Sequence, residues 1–483
     1  MAAALHSMLT PLLFALLLSP PSDVSPLLAK IRGSNAMIDD LRELCDTVGG
    51  RPTPSPAEAR AEEWAARKFR EAGVAVTMES YTLPASWRSR AATAEAVAPA
   101  AFPLRIAAAP FTAGTNGAIE GTLVDFGDGN PDVLAKVPES KGKIAFVRTG
   151  IMNSLEDLFG DYMRINALLE TAKRTGVAAM LLESSQRRSL LYRHPMALDG
   201  RIVPLPVAVV AHDNAERLLR LMAGGAVRVR LNLDNETGPT ATARNVVGEI
   251  RGSDKAGEIV VIGAHLDSWD MGTGALDNGV NAVTVIDLAR QIKALGMQPR
   301  RTIRFIDFTG EENGMIGSRA YAEGHRAEMP RHAAMVTMDI GSGKTTGFFL
   351  NGREDLRPLV ERALAPVMEA KAQQNPPDGI DGTDNFDFIL FGVPNLVANQ
   401  DAMPYLPDYH AESDTFDKVD AAAAKENEAI DAALLWYLAN ADERLPQQSR
   451  AEVEKLLAEQ HLVEQMKSFG QWDDWAGRKR GLR

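Results

Sequence analysis

Three residues able to bind a metal fall within one loop. Gly263-Ala264-His265-Leu266-Asp267-Ser268-Trp269-Asp270 runs on to Leu276-Asp277-Asn278-Gly279. A neutral imidazole and two carboxylates, in a loop with few long side chains, suit a divalent cation better than they suit a core. The plain alternative is a polar surface loop. Four further pieces carry the same kind of chemistry: Glu311-Glu312, Asp339, Gly382-Thr383-Asp384, and Tyr409-His410 followed by Asp414-Thr415. Taken alone, Glu311-Glu312 reads equally well as an acidic helix N-terminus.

Short elements must position these groups. Glu258 to Ile262 is an apolar, β-branched run, and Val280, Val283, Ile286 and Ala289 form a stripe at helical spacing. The first loop therefore joins a strand's carboxyl end to a helix, the edge at which open α/β sheets build their sites. Strands are expected near 244–250, 258–264, 302–308, 333–338 and 395–398, and helices near 278–295, 313–324, 354–370 and 418–442. Glu311 and Asp339 each fall just past one of these strands, so the groups converge in space. The fold class is α/β, a mainly parallel mixed sheet flanked by helices.

The order His, Asp, Glu-Glu, Asp, His resembles the zinc exopeptidase family of the bacterial leucyl aminopeptidase, the glutamate carboxypeptidases and the transferrin receptor. Within it the likeness is greatest to the plasma glutamate carboxypeptidases. It rests on His265-Leu266-Asp267-Ser268-Trp269-Asp270, Gly274-Ala275, Glu311-Glu312, Asp339-x-Gly, Gly382-Thr383-Asp384 and His410-x-x-x-Asp414-Thr415, and covers about residues 30–443. The resemblance implies two Zn²⁺ per chain: His265 and Asp339 on one, Glu312 and His410 on the other, and Asp277 bridging, with a cis peptide just after it. Asp267 would orient His265 from behind, and Glu311 would be the general base to a metal-bound hydroxide. Tyr409 departs from the pattern; its phenol either donates to a developing oxyanion or simply packs. Trp269 is expected to shape the pocket wall.

The resemblance also implies an inserted, β-rich protease-associated domain at 115–240, between peptidase segments 23–114 and 241–446. A C-terminal helical segment, 447–483, would pack on the domain or on a partner. His194 and His212, within the insert, lack ligand spacing and read as solvated or structural. Homodimers are the habit of close relatives.

With 483 residues, 45% hydrophobic and 24% charged, the chain is an ordinary globular protein too long for one core. A net charge of −12 argues against nucleic acid or an anionic membrane surface as the main partner. The single cysteine, Cys45, reads as an inert core thiol. Met8 to Leu18 is apolar but too short to span a bilayer; with Ser19-Pro20-Pro21-Ser22 it reads as a signal peptide over 1–22, although no Lys or Arg precedes it. Export to the periplasm or the outside is expected, with no membrane span. Gly343-Lys344-Thr345 lacks the upstream glycine of a phosphate loop, and the acid-rich 267–277 stretch lacks calcium-loop spacing.

The expectation is a dizinc exopeptidase acting on dipeptides or short peptides next to a free terminus. The alternatives are a receptor-like relative without catalysis, which requires lost ligands, and a glutaminyl cyclase, which the insert argues against.

Overall fold

A computed structural model describes residues 23–483; the signal-peptide expectation lies outside them. A seven-stranded sheet carries the site. Its strands run in the order Ala75–Leu83, Ala241–Ile250, Arg301–Phe308, Lys255–His265, His332–Ile340, Asn395–Gln400, Thr345–Phe349. The middle four are parallel, and antiparallel strands close both edges.

The central strands are apolar throughout because helices cover both faces. Along Lys255–His265, Val260, Ile262 and Ala264 enter one core, with the helices Pro56–Glu71, Val280–Ala294 and Ala421–Asn440. Ile259 and Val261 enter the other, with Tyr321, Met335 and Phe388. This is the period-two alternation of a strand sandwiched between layers. The helices start where local chemistry permits: Ser55 accepts from the Glu58 amide with Pro56 in the first turn, and Asp420 accepts from Ala422 and Ala423. Cys45 is buried in the first core.

A second, eight-stranded sheet lies at residues 86–238 and has its own cores. Two strand pairs run from one sheet into the other: Leu83 pairs with Ala241, and Ser86 with Gly238. The second sheet thus begins at Ser86. It takes in the stretch 86–114 that the sequence reading placed with the first part. Ser86–Ala98 is a strand although its alanines carry no strand preference, because Arg228–Gly238 pairs along it.

The C-terminal segment folds back on the chain. Val453, Leu456, Leu457, Leu462, Met466 and Trp475 bury against Phe386, Ile389 and Leu390. Of the two expected placements, the structure shows packing on the domain. No helix among the described residues is long and apolar enough to cross a membrane.

Candidate metal centre

Every expected ligand falls at a carboxyl end of the central strands or in a loop packed on it. His265 ends the Lys255–His265 strand, and Asp339 lies at the end of His332–Ile340. Asp277 sits in the turn before the Val280–Ala294 helix. Glu311 and Glu312 follow Arg301–Phe308 in a turn; the next helix starts only at Ile316 and has no acidic residue in its first turn. The helix-terminus reading of the pair therefore falls away. His410, in the left-handed backbone region at φ 54°, comes in on the 401–412 loop.

The distances are short. His265 Nε2 is 3.0 Å from Asp339 Oδ1 and 3.2 Å from Asp277 Oδ1. His410 Nε2 is 2.9 Å from Glu312 Oε2 and 3.2 Å from Asp277 Oδ2. The two oxygens of Asp277 thus face different imidazoles. Glu311 Oε2 stands 4.0 Å from His265 Nε2 and lines the cleft along with the other groups. The Asp277–Asn278 peptide is cis.

These groups are buried, and their electrostatics call for positive charge. Burial pushes Glu311 well above the usual carboxylate range, with Asp339 adding repulsion, and pushes Glu312 up to about 7. Burial works against the charge on His410, but Glu312 and Asp277 overcome it and raise the imidazole to about 10. Burial likewise opposes the charge on His265, which Asp339 raises nonetheless. Glu312 Oε1 and Asp267 Oδ2 are buried without a hydrogen-bond partner. Imidazole nitrogens, clustered carboxylates and an orphaned carboxylate oxygen make a donor set that fits zinc.

Supporting contacts fix the ligands. His265 Nδ1 lies 3.0 Å from the Asp267 carbonyl and 3.6 Å from its carboxylate. Asp267 Oδ1 also accepts from the Glu311 amide at 3.4 Å. Asp414, pushed up to about 7 by burial, accepts from the amides of Leu276 and Asp277 at 2.7 and 3.1 Å. Asn278 donates to Asp339 at 3.0 Å. Trp269 packs edge-on to His410, with ring centroids 6.0 Å apart, and joins the second sheet's core.

Several contributors carried no sequence signal. Buried Arg51 donates to the carbonyls of Leu266, Thr273 and Gly274, tying down the loop that bears His265 and Asp277. Tyr405 donates to Asp277 Oδ2 at 3.0 Å. The second sheet's layer reaches the site as well. The Arg193 carbonyl lies 3.1 Å from His410 Nδ1, and the Tyr162 hydroxyl is 2.8 Å from that of Tyr409. Leu155, Leu158, Phe159 and Tyr162 from the second sheet's layer, with Phe469 from the C-terminal segment, roof a cleft with about 680 Å³ of open space.

His194 is buried against Tyr162 and Tyr192, and burial lowers it to about 3. His212 Nδ1 lies 3.0 Å from Glu183, whose other oxygen accepts from the Thr149 amide. His194 therefore has structural surroundings, whereas His212 stands with Glu183 and Glu216 in a group whose ligand atoms could hold a metal ion.

A strand-end cluster of imidazoles and carboxylates on an α/β sheet is the arrangement of a metal-dependent hydrolase. The chain matches the model of Peptidase family M28 over residues 245–435. It is 29% identical to mouse carboxypeptidase Q over 324 residues, 65% of this chain and 67% of the mouse protein. The bovine carboxypeptidase Q is 27% identical over 421 residues, 86% and 88% of the two chains. A peptidase M28 precursor from Shewanella amazonensis superposes with a TM-score of 0.78 at 28% identity, covering 88% of this chain and 98% of its own. A zinc aminopeptidase from Bacillus subtilis shares the fold, with a TM-score of 0.66 at 19% identity over 85% and 96%.

Proposed function

We propose that this metallo-exopeptidase uses two zinc ions and releases a residue next to the free amine of dipeptides or short peptides. The observation that carries the reading is Asp277, whose oxygens face His265 and His410 separately at 3.2 Å each. His265 with Asp339 would hold one ion, and His410 with Glu312 the other. Zinc held there would supply Lewis-acid polarisation of the scissile carbonyl and acidify the attacking water. Glu311, lining the cleft, takes the water's proton and returns it to the leaving amine. Asp267 keeps His265 oriented, and Tyr409 donates a hydrogen bond to the oxyanion.

The choice of terminus is supported by the cleft's lining. It includes Asp277, Glu311, Glu312 and Asp339 but neither Lys nor Arg. Those four carboxylates are taken up by zinc and the base in this reading, so the support is one-sided: a free carboxylate finds no fixed side-chain cation in the cleft. Leu155, Leu158, Phe159, Ile340 and Phe469 offer an apolar wall for the substrate's side chain.

The test is a panel of dipeptides blocked in turn at each end. Acetylating the amine should abolish turnover, and amidating the carboxylate should leave it. The reverse pattern would overturn the terminus assignment. The residues that a receptor-like relative would have lost are all in place, which favours catalysis. A pyroglutamate-formation assay on N-terminal glutamine substrates separates the cyclase reading.

We take the second sheet as the protease-associated insert, and we carry forward export from the apolar N-terminal run and a homodimer from the resemblance. The tail's apolar residues are buried within the chain, which leaves the insert as the contact surface of choice. Sedimentation at micromolar concentration reads the dimer directly.

A further inference from the structure

Tyr162 belongs to the helix Leu155–Met163, in the layer of the second sheet, yet its hydroxyl ends 2.8 Å from the Tyr409 hydroxyl. Tyr409 in turn stacks on His410 with ring centroids 3.6 Å apart and an interplanar angle of 21°. Both phenols line the cleft. A phenol is protonated at neutral pH, so both are available as donors.

Two hydroxyls in contact have two protons and one mutual hydrogen bond. One proton lies between them; the other needs an acceptor elsewhere. An oxyanion developing in the cleft is such an acceptor. Tyr409, beside the ligand His410, is the member of the pair adjacent to the metal set. The order Tyr162 to Tyr409 to oxyanion then gives each proton an acceptor, and the first bond polarises the second.

The same loop is held at other points by the second sheet's layer. Gln186 donates to the carbonyls of Leu406 and Tyr409 at 3.0 and 3.2 Å, and the Arg193 amide donates to the His410 carbonyl at 3.0 Å. The backbone at Tyr409 is therefore fixed independently of Tyr162. What Tyr162 adds is the direction of one hydroxyl.

We propose that Tyr162 is a positioning residue for peptide hydrolysis: its hydroxyl donates to Tyr409 and so turns the Tyr409 proton toward the oxyanion. This rests on the reading of Tyr409 as the oxyanion donor. Its ring also meets Phe469 edge-on, with centroids 6.3 Å apart, so the phenylalanine variant keeps the packing and removes only the hydroxyl.

The test is a double-mutant cycle on the zinc-loaded full chain, with an unblocked dipeptide as substrate. Tyr162→Phe should lower kcat by about 3- to 10-fold, the worth of one hydrogen bond. KM, zinc content and thermal midpoint should stay at wild-type values. Tyr409→Phe should cost more, and Tyr162→Phe added to it should cost nothing further. An equal loss in both backgrounds, no loss in either, or a loss of zinc or thermal stability would overturn the proposal, because Tyr162 would then act elsewhere or not at all. If Tyr409→Phe kept full activity, the oxyanion reading itself would fall. If wild-type protein cleaved no peptide, the exopeptidase reading would fall instead.

Discussion

His410 takes its ring orientation from Arg193: Nδ1 lies 3.1 Å from the Arg193 carbonyl, which leaves Nε2 facing Glu312 and Asp277. The two residues belong to different sheets' layers. The Arg193 guanidinium is itself fixed by both oxygens of Asp270, at 2.7 and 2.9 Å, and by the Ala108 carbonyl at 2.6 Å. Asp270 lies on the loop of His265 and Asp277, so one arginine ties the two ligand-bearing loops together.

Loss of that tie should show as weaker metal binding. Groups that orient a ligand from behind are typically worth 10- to 100-fold in affinity. Arg193→Ala should therefore weaken one zinc by roughly 10-fold and leave the other near its original affinity. Competition with a chromogenic chelator reads this. Two unchanged affinities would show that the arginine is only structural.

Arg51 acts on the opposite side of the same loop. Arg51→Met would leave the carbonyls of Leu266, Thr273 and Gly274 buried without their donor. Each such loss costs about 1–3 kcal/mol. Calorimetry should find the thermal midpoint lowered by several degrees, and zinc content should fall with it. An unchanged midpoint would mean that solvent or a neighbour replaces the arginine at no cost.

The pH dependence of stability has a component far from the metals. Asp431 is fully buried in the Ala421–Asn440 helix, and burial raises it from 3.8 to about 8. Between these values the unfolded chain gives up the proton and the folded chain keeps it. The folded state is thus favoured at low pH and loses ground as pH rises. Asp431→Asn should match the wild type near pH 4 and exceed it in thermal midpoint by pH 8. Parallel curves for the two proteins across that range would contradict the assignment.

Much of the strand-end cluster was legible because each proposed ligand sits beside its own local signal. His265 and Asp339 end apolar strands, and Glu311-Glu312 follows another. The sheet was legible for the same reason: near-continuous apolar runs mark strands covered on both faces. What escaped depends on distant pairing. Tyr162 meets Tyr409 across 247 positions, and Arg51 meets Leu266 across 215. Neither residue type is unusual where it stands. Ser86–Ala98 carries little local strand signal because its alanines fit helix or strand, and only its partner decides.

The central claim is a division of labour between adjacent carboxylates, and one comparison tests it most directly. Glu311→Gln and Glu312→Gln are each assayed for zinc content and for dipeptide hydrolysis. Glu311→Gln should keep both metals and the fold, with KM little changed and kcat lowered by at least roughly 10²–10⁴-fold, because an amide cannot take the proton. Glu312→Gln should lose zinc first, and activity with it. Exchanged phenotypes would reverse the assignment within the pair, and near-full activity in both variants would contradict the peptidase mechanism.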